Sequence, residues 1–114
     1  MRAVDTNVLV RLMTRDDAKQ VAVAEAFVAS GAWVPHLAVT EATWVLASVY
    51  DRKPEAIATA VEMLLSHEYL TLQDSEAVAA AVAQFRRRPK VGFSDCLMVE
   101  VARKAGHIPL GTFD

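Results

Sequence analysis

Four carboxylates stand where local structure alone explains negative charge poorly. Asp5 ends the apolar pair Ala3-Val4 and precedes Val8-Leu9-Val10. Glu41 shares a helical stripe with Trp44, Val45 and Val49, and Asp95 shares one with Met98, Val99 and Ala102. Asp114 follows Leu110-Gly111-Thr112-Phe113. Such stripes are expected to face inward, and a buried carboxylate is costly unless its charge is compensated. Taken singly, Asp5 reads equally as a helix cap and Asp95 as an acid suited to a helix N-terminus. Gathered together, the four would repel one another, and a divalent cation relieves that repulsion. An all-oxygen donor set selects Mg²⁺ or Mn²⁺ over zinc. His36, His67 and His107 show no paired ligand spacing, and Cys96 reads as a core residue rather than a nucleophile. The remaining acids are ordinary: Glu100 precedes Arg103 and Lys104 at ion-pair spacing, while Asp16, Asp17, Glu55 and Glu76 lie in first helical turns.

Gathering the four requires a particular order of elements. Short apolar runs at 3–4, 33–35, 69–72 and 108–112 read as strands. Helical periodicity covers 6–13, 16–30, 40–50, a segment opening at Pro54, a segment from Ser75 and 94–105. Val21, Ala24 and Val28 form one inward stripe; Ile57, Val61, Leu64 and Leu65 form another; Val78, Ala81, Val82 and Phe85 form a third. Gly31 and Gly106 are helix stops, and Pro89 ends the helix that closes on Arg86-Arg87-Arg88. Strand, two helices, three times over and then a strand predicts an α/β fold with a parallel sheet. Asp5 and Asp114 then lie at carboxyl ends of strands, with Glu41 opening a helix just past the second. The helix carrying Asp95 runs about 18 Å, against about 17 Å for a five-residue strand, so its start returns to the same edge. That edge is the usual ligand side of open α/β sheets.

Composition bounds the rest. A chain of 114 residues, 54% hydrophobic and with one cysteine, suits a single compact domain over residues 1–114 without an internal disulfide. The longest apolar run, residues 77–83, falls far short of the ~20 residues of a membrane span. Asp5 and Arg11 interrupt the apolar segment near the start, so no secretory leader is expected and a cytoplasmic location is. The formal charge of −2 predicts no bulk attraction to nucleic acid, which leaves room for a local basic strip. The excess of Ala and Val suits either a core of small residues or a surface buried against a partner.

Val4-Asp5-Thr6-Asn7, Thr40-Glu41, Phe93-Ser94-Asp95-Cys96-Leu97 and Thr112-Phe113-Asp114, in this order and spacing, resemble the PIN-domain family over essentially the whole chain. The likeness is greatest to the VapC toxin ribonucleases of toxin–antitoxin pairs. The resemblance implies a three-layer α/β/α fold with a short-stranded parallel sheet flanked by helices. It also implies an Mg²⁺- or Mn²⁺-dependent endoribonuclease, with Asp5 and Asp95 as principal ligands and Glu41 and Asp114 completing the catalytic set. Asn7 and Thr112 would hydrogen-bond the acids. It further implies a cognate antitoxin, which would seat a helix in an apolar groove, and a homodimer. The Ala/Val-rich stretches 16–30 and 40–66 are plausible surfaces for both.

Arg86, Arg87, Arg88 and Lys90 precede the helix of Asp95. They read equally as an RNA-phosphate contact and as a solvated helix end complementing the dipole. Two other functions fit less well. A non-catalytic PIN-like RNA- or protein-binding module would ordinarily have lost one or more acids. A Mg-dependent phosphatase-like domain would want Asp where Asn7 stands, and a receiver domain would want Asp at the end of the third strand, where Leu72-Gln73 precede Asp74.

Overall fold

The computed structural model describes residues 1–109 and 111. Three strands, β1 (Arg2–Ala3), β2 (Ala32–Val34) and β3 (Leu70–Leu72), form a parallel sheet in that order. Arg2 pairs with Ala32 and Ala3 with Trp33; Ala32, Trp33 and Val34 pair with Leu70, Thr71 and Leu72. Six helices flank the sheet: α1 (Thr6–Thr14), α2 (Ala18–Val28), α3 (His36–Ser48), α4 (Pro54–Ser66), α5 (Ser75–Arg87) and α6 (Phe93–Lys104). The α/β order read from the sequence is therefore observed, with helices in pairs between parallel strands. The fourth strand expected over 108–112 includes Leu110 and Thr112, which lie outside the described residues, as does Asp114.

The chain punctuates these helices with short polar side chains. Asp5, in extended conformation, caps α1 by accepting from Val8 N at 3.1 Å, and Asp17 caps α2 by accepting from Lys19 N and Gln20 N. Each satisfies amide groups that a helix start leaves without partners. Pro54 opens α4, where its missing N–H costs nothing. Gly31 follows α2 with φ +93°, a conformation that disfavours a side chain, and its N–H closes the turn on Val28 O.

The core is made of small and branched aliphatics. Leu9, Leu12, Val28, Val34, Val39, Leu46, Val61, Leu64 and Val78 are fully buried, and alanines 24, 32, 38, 42, 58, 77 and 81 fill the space between them. Close-packed small residues bring helices near the sheet and account for much of the Ala/Val content. The inward stripes of α4 and α5 are as the periodicity predicts, except that Leu65 is half-buried; on α2, Ala24 and Val28 are buried and Val21 is half-buried.

Two stripes differ from expectation. Helix α3 begins at His36, four residues earlier than the sequence pattern suggests, because Pro35 in extended conformation serves as its N-cap residue. Its buried face is Ala38, Val39, Ala42, Thr43 and Leu46, whereas Trp44 and Val49 are each 67% exposed. Helix α6 buries Phe93, Cys96 and Leu97 and leaves Met98 exposed. The stripes of Glu41 and Asp95 thus face solvent. On α3 the larger side chains suggested the wrong face, while mostly small residues make the actual contacts; on α6 the buried face is Phe93, Cys96 and Leu97.

Candidate active site

The β1–α1 junction places Asp5 at the carboxyl end of β1, directly before the first turn of α1. Its Oδ1 is committed to Val8 N–H, so the capping reading is correct. A single N–H bond uses only part of the acceptor capacity of a carboxylate, so the cap does not exhaust the group. Leu9, Val10 and Leu12 bury the opposite face of α1 and fix the turn against the core.

Glu41 is the sixth residue of α3, one turn further along than a helix opening at Thr40 would put it. It is drawn to the β1–α1 junction by Thr6, whose Oγ1 donates to Glu41 Oε2 at 2.8 Å. Thr6 is the residue next to Asp5, so the two acids are joined through one side chain and one peptide. Thr6 carries no signal as a site residue in the sequence; a Thr at the first position of a helix reads as local capping chemistry. Only the long-range contact, 35 residues apart in the chain, gives it a role. Asn7, expected in the same supporting position, is exposed in the same turn.

Asp95 lies in the first turn of α6, after Gly92, which provides no side-chain cap. Negative charge at this position suits the unsatisfied amides of the helix start. Asp95 is exposed, and the adjacent Cys96 is buried with its Sγ toward Val91 O at 3.6 Å. Burial pushes the Cys96 thiol up from its ordinary value, and the negative charges of Asp95 and Glu100 push it further. A thiol held protonated is a poor nucleophile, as expected for a core cysteine.

Six acids elsewhere in the molecule have cationic partners. Glu25 is held by Arg15 at 3.2 Å and His67 at 3.1 Å, Glu62 by Arg86, Asp74 and Glu76 by Lys104, Asp16 by Arg52 and Glu100 by Arg103. Burial works to raise the Glu25 carboxyl, but the bonds to Arg15 and His67 outweigh it and hold the group below its ordinary value. The Lys104 ammonium does the same for Asp74. Among the described residues Asp5, Glu41 and Asp95 take part in no such pair. Asp17, Asp51, Glu55 and Glu68 also lack one; of these seven acids only Glu41 is hydrogen-bonded to a distant element among the described residues.

The structure links Glu41 to the residue beside Asp5 through the Thr6 hydroxyl, and among the described residues no hydrogen bond ties Asp95 to either acid. Among the described residues no group of three or more Asp, Glu, His or Cys side chains stands close enough to hold a cation. Glu41 sits a turn beyond the expected helix start, and all three acids project into solvent. The donor set nevertheless suits a hard cation. Mg²⁺ keeps several waters and is commonly bound through one or two carboxylates together with substrate phosphate, rather than in an all-protein cage. Asp5 and Glu41 supply that minimum, and neither His nor Cys intrudes to favour zinc.

The basic strip divides into two parts. Arg86 makes a two-pronged contact with Glu62, Nε to Oε2 at 3.1 Å and Nη2 to Oε1 at 2.6 Å, and also donates to Thr59 Oγ1 at 3.1 Å. It fastens α5 to α4, so its guanidinium is already paired where the sequence left it open between a phosphate contact and a solvated helix end. Arg87, Arg88 and Lys90 are exposed, and among the described residues they form no salt bridge.

No helix is long and apolar enough to cross a membrane among the described residues. No curated protein and no solved structure matches the chain. The family model described as PIN domain matches residues 2–114, taking in the sheet, all six helices and every acid considered above. With that extent of match, the chain belongs to the PIN-domain family, whose members are in general nucleases acting on RNA.

Proposed function

We propose that the protein is an Mg²⁺- or Mn²⁺-dependent endoribonuclease and the toxin of a type II toxin–antitoxin pair. The observation that carries the first part is the link of Glu41, through the Thr6 hydroxyl, to the residue beside Asp5, with neither acid in an ion pair among the described residues, in a chain of this family. Asp5, Glu41 and Asp95 would hold the cation, with Asp114 as the fourth acid of the set and Thr112 and Asn7 in support. When bound, the cation supplies an activated water and offsets charge on the leaving oxygen. The chain's own residues set the geometry. The α1 cap holds Asp5 by Oδ1, Thr6 holds Glu41 by Oε2, and the first turn of α6 carries Asp95 toward solvent, where a phosphodiester can reach it.

Attack by water rather than by the ribose 2′-hydroxyl gives 5′-phosphate and 3′-hydroxyl ends. Incubation of single-stranded RNA with the protein and Mg²⁺ is expected to give products with those ends, and a chelator is expected to stop the reaction. Cleavage that persists in chelator, or that leaves 2′,3′-cyclic phosphates, would refute the reading.

The toxin role, with a cytoplasmic location, a cognate antitoxin and a homodimer, is supported by the VapC-like order of motifs. The exposed apolar side chains Val23, Leu37 and Val49 lie on the helices expected to meet such partners. Co-expression with the product of an adjacent small open reading frame is expected to suppress the RNase activity.

A further inference from the structure

Strand β2 is followed by a residue that cannot cap a helix. Pro35 stands at the N-cap of α3 and makes no side-chain hydrogen bond there. The first amide of that helix nevertheless has a partner, because His36 N donates to Gln73 Oε1 at 2.9 Å from 37 positions away in the chain. A cap oxygen ordinarily comes from the residue just before the helix; here a neighbouring strand supplies it. Gln73 directly follows β3, and its own N–H donates to Val34 O at 2.8 Å, one step beyond the Val34–Leu72 pairing. Gln73 thus holds the chain on both sides of Pro35, by the carbonyl before it and the amide after it.

The same helix is tied a second time, one turn further on. Glu41 accepts from Thr6, just past the end of β1. Since β2 lies between β1 and β3 in the sheet, the start of α3 is anchored to the strand ends on either side of its own. Between the two anchors the buried contacts are made by Ala38 and Val39, followed by Ala42 and Thr43. Small side chains choose which face of a helix turns inward, but their shallow ridges resist sliding along the axis less than large interlocking ones do. A slide of about 1 Å would carry the Thr6–Glu41 pair beyond hydrogen-bonding distance.

We infer that Gln73 is a positioning residue for Glu41. By capping α3 from the end of β3 it sets where the helix sits along its axis, and so keeps Glu41 within reach of Thr6 beside Asp5. The inference rests on the metal-dependent ribonuclease reading for its consequence at the site, though not for the placement of Glu41 itself.

The test reads placement first and metal second. Gln73→Met keeps the length of the side chain and removes the acceptor, whereas Gln73→Glu keeps an acceptor oxygen; Gln73 is exposed, so both should fold. In metal-free protein the side-chain carboxyl carbon of Glu41 is followed by NMR, with Thr6→Val marking its resonance when the bond is absent. Gln73→Met is expected to move that resonance toward the Thr6→Val position, and Gln73→Glu to leave it near the parent's. Calorimetry with Mn²⁺ should then show a loss of affinity of about 2- to 10-fold for Gln73→Met, one neutral hydrogen bond's worth. Adding Gln73→Met to Thr6→Val should cost little more, because the bond it serves is already gone. A cap that only steadies the fold would lower the melting temperature equally in both backgrounds and leave the Glu41 resonance in place. That result would overturn the inference, as would equal shifts from Gln73→Met and Gln73→Glu. A parent protein that binds no Mn²⁺ would instead sink the metal reading, and the Glu41 resonance would still decide the role of Gln73.

Discussion

The α5–α6 hairpin and the β1–α1–α3 corner use acidic residues in opposite ways. In the hairpin, Lys104 clasps Asp74 and Glu76 where α6 ends and α5 begins. Along the outer side, Arg86 grips Glu62 of α4. Every one of these carboxylates has a cation within 3.4 Å. At the corner, Asp5 receives a backbone amide and Glu41 receives a hydroxyl, and no positive charge is paired with either among the described residues. A hydroxyl or an amide orients a carboxylate while leaving most of its charge in place, whereas an ammonium or guanidinium neutralises it. The first region is held together by its acids; the second keeps its acids in a fixed pose with their charge available.

The largest effect expected from this contrast is at the corner's own carboxylates. Asp5→Asn preserves a capping oxygen, since Asn caps about as well as Asp, and so should leave thermal stability nearly unchanged. Asp5→Asn and Asp95→Asn should nevertheless each lower RNA cleavage by at least about 100-fold. Melting curves alongside cleavage rates would check this, and a variant that stays folded and fully active would erase the distinction between the two regions.

Thr6 offers a sharper cut. Thr6→Ser keeps the hydroxyl on Glu41, whereas Thr6→Val keeps the shape and removes the donor. If the bond orients a ligand, Thr6→Val should weaken Mn²⁺ affinity by about 10- to 100-fold with Thr6→Ser near the parent, as removal of a ligand's hydrogen-bonding partner commonly does. Titration calorimetry with Mn²⁺ reads this without reference to turnover. Identical affinities in both variants would reduce the bond to a fold contact.

The smallest effect separates the unpaired from the paired cation in the basic strip. Lys90→Gln should reduce the slope of log affinity for RNA against log salt by up to about one unit, one phosphate contact's worth. Arg86→Gln should leave that slope unchanged and lower the melting temperature, because its guanidinium joins α5 to α4. A salt slope that responds to Arg86 and not to Lys90 would reverse the assignment.

Much of this architecture was legible in the residues. Helices α4 and α5 declare themselves through inward aliphatics at helical spacing, and Pro54, Gly31 and Pro89 mark ends because their backbone chemistry permits little else. The parallel order follows from the length of the connections. The faces of α3 and α6 were not legible. On α3, Ala38, Ala42 and Thr43 carry weak hydropathy signals, yet their small size allows close helix packing, so the conspicuous Trp44 drew the inward face to the wrong side; on α6 the stripe of Met98 was chosen over the buried Phe93, Cys96 and Leu97. The Thr6–Glu41 bond spans 35 positions and follows no local pattern. Arg86 is likewise indistinguishable from Arg87 in sequence; in the fold Arg86 meets Glu62 of α4, and Arg87 forms no salt bridge among the described residues. The place of Asp5 at the start of α1 was readable from its neighbours, but the exposed faces of Glu41 and Asp95, and which acids have cationic partners, were not.

Strand β1 is two residues long, too brief to hold Asp5 in place by ladder bonds. What steadies that carboxylate is the Val8 amide, on a helical turn seated in the core by Leu9 and Leu12. Alignment at the reacting edge is therefore borrowed from the oily interior, and loosening that interior would blunt turnover well before the chain lost its shape.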